Sequence, residues 1–282
     1  MFIKDEKIRP NVMLKYYLDL SGTDYLHWGY WQGEEELNLK NFQAAQERYI
    51  DHLIQFIPKD VKTILDVGCG VGGNARKLKE KGYDVVGLAP DPYQQKLFKE
   101  RTGGSIPFIL STFEDYKSDK KYDMVFMSES VQYIPFDKAF AKAKEVLKDG
   151  GHILSSDYYR LENSRGVKEK HLPSFYLEDY LKKAEKFGFE KLKEEDISKN
   201  VLPTLYYGNM VFGSYIKPTL KAILLALEVH IPIVDKLMRL FFRFKVKGER
   251  IEDIIKNNVI PLKPELFQEY MKYKIFLFKK AK

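Results

Sequence analysis

The sequence predicts an α/β fold: a doubly wound sheet of seven strands, with a helical flap before the first strand and a helical lid inserted before the last. Three observations predict it. Short apolar runs alternate with helical stretches at the spacing of right-handed βαβ crossovers. The first run ends in a cluster of glycines, as a buried parallel strand does where it turns into a helix. The last two strand-like runs are separated by the mostly helical residues 200–268, a segment long enough to cover a ligand site.

Taken in order, TILDV at 63–67 is an apolar run that stops at glycine, and 75–81 follows as a short helix. YDVVGL at 83–88 reads as the second strand, 93–101 as a helix, 107–110 as the third strand and YDMVFMS at 122–128 as the fourth. Residues 136–148 form a helix stopped by Lys148-Asp149-Gly150-Gly151, and HILSS at 152–156 is the fifth strand. A helix ends over 183–188, residues 189–196 return as a strand, and YKIFLFK at 273–279 closes the sheet. The domain boundaries follow: a flap at 1–58, a core at 59–199, a lid at 200–268 and a last core strand at 269–282. The flap precedes the first strand and carries eight aromatics between Tyr16 and Phe42, so it is expected over the strand ends, where open α/β sheets bind ligands.

Composition narrows the function. With 282 residues and 44% apolar content the chain can build a packed core. A single cysteine, Cys69, excludes an intramolecular disulfide and a cysteine-rich zinc site and fits a reducing compartment. The five histidines form no H-x-x-x-H pair, so no metal site is expected. The first ten residues carry charge where a signal peptide needs an apolar run. The apolar stretch 222–234 is interrupted by Glu228, His230 and Pro232 and reads as too short and too polar to span a bilayer. The expected location is cytoplasmic, at most membrane-peripheral. Charge is uneven: from residue 199 onward 16 Lys+Arg face 7 Asp+Glu, net +9, which leaves the remainder at −2. Such a basic end attracts anionic lipid or nucleic acid, unless it is only a solvated lysine-rich face.

The most informative residues are Asp66-Val67-Gly68-Cys69-Gly70-Val71-Gly72-Gly73. Glycines directly after a strand let the backbone approach a ligand, and Asp66 can accept a hydrogen bond from a cationic amine. A phosphate loop would need a lysine that is missing. A dinucleotide site would need an acid after the second strand, where Ala89 stands.

This stretch resembles the glycine loop D-V-G-C-G-x-G of the class I S-adenosylmethionine-dependent methyltransferases, which have a Rossmann-like core. The resemblance covers nearly the whole chain. His27-Trp28-Gly29-Tyr30-Trp31 is similar to the H-x-G-Y-W entry of small-molecule members. Residues 87–94 resemble the G-x-T-L-S-x-x-Q stretch of cyclopropane-synthase-like and tocopherol-methyltransferase-like enzymes, and Phe113-Glu114-Asp115-Tyr116 their W-E-D-F. Residues 128–135 resemble x-E-S-x-x-H-x-P, and Glu195-Asp196-Ile197-Ser198 with the following Val201-Leu202-Pro203 resembles E-D-I-T with V-x-P.

The resemblance implies S-adenosyl-L-methionine as cofactor, with S-adenosyl-L-homocysteine as product. It puts Gly68, Gly70 and Asp66 at the methionine end, Gln94 at the ribose, Phe113 and Glu114 at the adenine, and Ser128 at the end of the fourth strand as a further contact. Tyr17 would close the flap on the carboxylate. Methyl transfer is an in-line displacement in which the protein positions a nucleophile and removes its proton. The candidate groups are Asp157, where similar O-methyltransferases carry an acid, Tyr133, where relatives have histidine, and His27. Tyrosine at 133 weakens a histidine-driven mechanism, because a phenol titrates near pH 10 rather than 7. Val131-Gln132, in place of the Glu-His pair of cyclopropane synthases, argues against cyclopropanation.

The lid suggests the acceptor. Residues 222–227 and 237–244 are more apolar than one helical stripe needs, with Arg239, Arg243, Lys245 and Lys247 punctuating the second run. A small hydrophobic acceptor is expected (lipid, quinol or phenol, or natural product), with peripheral contact to anionic membrane and a homodimer as a further expectation. A nucleic-acid methyltransferase using the basic end is the alternative, but Ser128-Glu129-Ser130-Val131 is unlike the N/D-P-P-Y/F segment it would carry, and no nucleic-acid partner is expected. A non-catalytic cofactor-binding protein is the other alternative.

Overall fold

The computed structural model describes residues 11–169, 172–234, 236–237, 240 and 262–281. Two helices come first, α1 (Val12–Ser21) and α2 (Leu39–Ile54), each capped by an asparagine side chain, Asn11 and Asn38. The alternating body follows as β1 (Thr63–Val67), α3 (Gly73–Glu80), β2 (Asp84–Ala89), α4 (Pro92–Arg101), β3 (Phe108–Leu110), β4 (Tyr122–Ser128), α5 (Phe136–Val146) and β5 (Leu147–Arg160). Then come α6 (Leu177–Lys186), β6 (Phe189–Asp196), α7 (Ser198–Val211), α8 (Lys217–His230), a last short helix, α9 (Pro264–Tyr270), and β7 (Met271–Lys280).

The seven strands are ordered β3-β2-β1-β4-β5-β7-β6. The first five of that order are parallel, and β7 runs antiparallel between β5 and β6. Residues alternate between the two faces, as a pleated strand requires. Ile64, Met124, Leu154 and Ile275 join one core, beneath α2, α3 and α7, while Leu65, Val125, Ile153 and Phe276 join the other, beneath α5 and α6.

Three expectations are corrected. The helix from Phe136 ends at Val146, not Lys148, and β5 occupies residues 147–160 rather than 152–156. Its register against β4 jumps between Tyr122↔Leu147 and Met124↔His152, and Gly150 at φ 72° takes up the extra residues. Nine consecutive pairs with β7, from His152 to Arg160, hold the extension. Second, α2 is more than a flap over the strand ends: Tyr49, Ile50 and Leu53 are fully buried in the main core. Third, α7 and α8 join through a π turn at Phe212–Ile216 into one helix, Ser198–His230, of 33 residues. By length and composition alone it is long and apolar enough to cross a membrane, which the shorter run 222–234 did not suggest.

Within the expected lid, α7 packs through Val201 and Leu205, whereas α8 has no buried residue. Most of the second apolar run, with Arg239, Arg243, Lys245 and Lys247, lies outside the described residues, as does His171.

Candidate functional site

The carboxyl ends of β1, β2, β3 and β4 open into a cavity of about 470 Å³, walled on the far side by residues 24–27 of the N-terminal segment. This is where the strand order reverses around β1 and β4, the usual ligand position in such sheets.

Each wall has a local cause. After β1 the backbone N–H of Gly68 donates to the Leu88 carbonyl at 2.8 Å, which turns the chain back across the end of β2. Gly68 has φ 77° and Gly70 φ 54°, a region that side chains disfavour. A Cβ on Gly68 would stand 2.4 Å from Cβ of Ser130, and one on Gly70 2.7 Å from Cδ1 of Leu26. After β2, Asp91 caps α4 by accepting from the N–H groups of Tyr93 and Gln94, with Pro92 at the first turn. That cap sets Gln94 on the wall. Phe113 is buried against Val86 and Leu88 while still facing the cavity.

Eight of the eleven expected residues line this one cavity: His27, Gly68, Gly70, Gln94, Phe113, Glu114, Ser128 and Tyr133. Three do not. Tyr17 lies behind the wall, where its hydroxyl donates to the Tyr25 carbonyl at 3.1 Å and accepts from Nε2 of Gln46 at 3.0 Å. Asp66 is fully buried at the end of β1, and its Oδ2 has no hydrogen-bond partner among the described residues. Burial pushes its carboxyl up to about 7. Asp157 is also fully buried: its oxygens accept from the backbone N–H groups of Tyr158 and Gln132. Burial, then the nearby Glu129 charge, raises its pKa well above the ordinary carboxylate range.

The His27 ring has Nδ1 2.8 Å from the Trp28 carbonyl and Nε2 3.0 Å from Oδ1 of Asn74, and its single N–H in the neutral form can donate to one of these two oxygens. It stacks on Tyr49 at 4.2 Å, and burial lowers its pKa to about 4, so it is neutral at pH 7. Tyr133 stands at the cavity mouth, 78% exposed.

Sequence reasoning did not single out Glu129 as a site residue. It follows β4 directly and lines the cavity. At φ 51° it is the one non-glycine residue with positive φ among those described. Its Oε1 accepts from the Trp28 backbone N–H at 2.6 Å and from the Tyr273 hydroxyl at 2.7 Å. Burial pushes its carboxyl up to about 7, with no cation paired to it among the described ion pairs. Strain kept at a carboxylate on a cavity wall points to use rather than packing. The signal available in sequence was an acid placed directly after a buried central strand. Around Glu129 the ring of Trp28 stacks on Tyr158 at 5.3 Å and tilts against Phe267 and Tyr273. Among the described residues no group of three or more His, Cys, Asp or Glu could hold a metal ion.

The residues fit an S-adenosylmethionine-sized ligand. A glycine turn with no room for a Cβ, a buried acid whose Oδ2 has no partner among the described residues and an aromatic face beyond suit a cationic amine at one end and a flat base at the other.

Comparison with known proteins agrees. Residues 65–155 match the family model described as a methyltransferase domain. The chain is 25% identical to the chloroplastic tocopherol O-methyltransferase of Arabidopsis thaliana over 237 residues, covering 70% of this chain and 68% of that protein. It is 29% identical to the sterol 24-C-methyltransferase of Eremothecium gossypii over 185 residues, covering 58% and 49%. It thus spans about half to two thirds of the length of these relatives. Among solved structures it resembles geranyl diphosphate C-methyltransferase from Streptomyces coelicolor, with TM-score 0.66, 14% identity and coverage of 98% and 95%.

Proposed function

We propose that the chain is a class I S-adenosylmethionine-dependent methyltransferase that methylates a small hydrophobic acceptor, a lipid, a quinol or phenol, or a natural product, by in-line displacement. The observation that carries this reading is the single cavity where the glycine turn, Gln94, Phe113 and Glu129 meet. The cofactor would supply an electrophilic sulfonium methyl. Gly68, Gly70 and Asp66 would hold its methionine end, Gln94 its ribose, Phe113 with Glu114 its adenine, and Ser128 the wall between. Tyr17 would act from behind, by holding the Tyr25 carbonyl that shapes the flap.

On the acceptor side, Glu129 is the group placed to take a proton. A carboxylate raised to about 7 is matched to proton transfer near neutral pH. Asp157 would orient Gln132 and carry part of the same charge, and Tyr133 would meet the acceptor at the mouth. His27 would shape the wall as a neutral ring. The aromatic surround of Trp28, Tyr158, Tyr273 and Phe267 supports an apolar acceptor, as do the lipophilic tocopherol and sterol in the relatives' names. The same reading puts the enzyme in the cytoplasm or at a membrane surface, with a small molecule rather than nucleic acid as substrate.

Calorimetric titration with S-adenosylmethionine, S-adenosylhomocysteine and NAD tests the reading. Micromolar binding of the first two, absent for NAD and lost in Asp66→Ala, is the expected result. Failure of both sulfur nucleosides to bind would sink it.

A further inference from the structure

The outer half of the long helix contributes no fully buried residue. Its inner half is anchored: Val201 and Leu205 are buried, and Thr204 Oγ1 accepts from the Gly29 N–H at 3.0 Å and from Nε1 of Trp31 at 2.9 Å. From Lys217 to His230 no residue is buried. Leu225 is 60% exposed and Val229 62%, and the apolar run continues past the helix to Ile233 at 74%.

The pattern around this helix identifies what it meets. At about 100° per residue, Lys217, Lys221 and Glu228 share one arc of roughly 40°, and apart from Thr219 and His230 the rest is apolar over roughly 250°. A helix that docks on one protein partner needs an apolar stripe of about 100° with a polar opposite face. This one is apolar on its flanks as well, which suits immersion. The polar arc runs along the helix from Lys217 through Lys221 to Glu228, so one side stays charged along the length, which suits lying in the interface rather than crossing the bilayer. Lys217 and Lys221 on the polar arc, within a C-terminal third of net charge +9, complement anionic headgroups.

We infer that Lys217–His230 embeds in the interface of an anionic bilayer, its apolar arc at the acyl boundary and its charged arc among the headgroups. α7 is bonded to the segment that contains Trp28, and Trp28 to Glu129, so the embedded helix is tied through few contacts to the acceptor side of the cavity. This gives a lipid acceptor a path that avoids water, and only that last step rests on the function proposed above.

Cosedimentation of the full chain with phosphatidylcholine vesicles, with and without 30% phosphatidylglycerol, tests the inference. Binding to the anionic vesicles is expected, at least tenfold weaker for Ile223→Glu/Leu225→Glu/Val229→Glu and severalfold weaker for Lys217→Gln/Lys221→Gln. Both variants should bind S-adenosylmethionine as wild type does, which shows them folded and keeps this test separate from that of the cofactor site. Wild type left in the supernatant with anionic vesicles overturns the inference. So does a dimer that the triple variant splits while vesicle binding is absent, which would assign the face to a second copy of the chain.

Discussion

The backbone N–H of Trp28 donates to Oε1 of Glu129 across 2.6 Å, joining the N-terminal segment to the end of the central strand β4. One bond therefore orients the carboxylate on the cavity wall and latches the segment that closes the cavity. Tyr273, on β7, makes the second bond to the same oxygen.

Glu129→Gln keeps the size of the side chain and its acceptor oxygen but removes the charge. It should bind S-adenosylmethionine within a few fold of wild type and lose about 10²-fold or more in kcat, the usual size of a general-base effect. Single-turnover methyl transfer with a phenolic acceptor measures it; unchanged kcat would remove Glu129 from the proton path.

Gly68→Ala puts a methyl group against Ser130 at a left-handed φ of 77°. Ser130 cannot move freely, because its hydroxyl donates to the Val67 carbonyl at 2.6 Å. The variant should lose cofactor affinity at least tenfold and about 1–3 kcal/mol of stability. Calorimetry and thermal melts read the two separately, and near-wild-type values for both would contradict the cradle.

Asp66 and Glu129 both have carboxyls raised to about 7, from ordinary values of 3.8 and 4.5. A raised acid pKa means that the folded state holds the proton more tightly than the unfolded chain. The stability it contributes is complete below pH 4 and is lost as pH rises through about 7. Without cofactor, the Tm of wild type should fall by several degrees relative to Asp66→Asn between pH 5 and pH 8. Parallel melting curves across that range would show Asp66 to be ionised throughout.

Tyr49 is buried with its hydroxyl 2.8 Å from both Ser156 Oγ and the Tyr273 hydroxyl. Tyr49→Phe leaves Ser156 Oγ and the Tyr273 hydroxyl each short of a partner and should cost about 1–2 kcal/mol in urea unfolding. It should also lower kcat modestly through Tyr273 and Glu129. A neutral substitution would mean that the network relaxes without it.

Much of the fold was legible in the chain. Strand β1 at Thr63–Val67 and β4 at Tyr122–Ser128 fall where the apolar runs and their stops put them, and β6 at Phe189–Asp196 follows the helix stop at Gly188, because strand and turn chemistry are local. The extent of β5 was not local. Only pairing with β7, far along the chain, holds residues 157–160 extended, and Gly150 reads as a helix stop when it serves a register shift.

The same division runs through the site. Residue type and spacing pointed to a glycine turn with an acid before it, while the cofactor and the place of Gln94 came from the resemblance to class I S-adenosylmethionine-dependent methyltransferases. What the tertiary structure decided was which polar groups line the cavity. It puts Glu129 on the lining, with Asp66, Asp157 and Tyr17 off it. It also leaves α8 without a fully buried residue where a lid was expected. The reason is physical: a residue's chemistry travels with its identity, but its exposure, strain and pKa depend on neighbours that only the closed fold brings within reach.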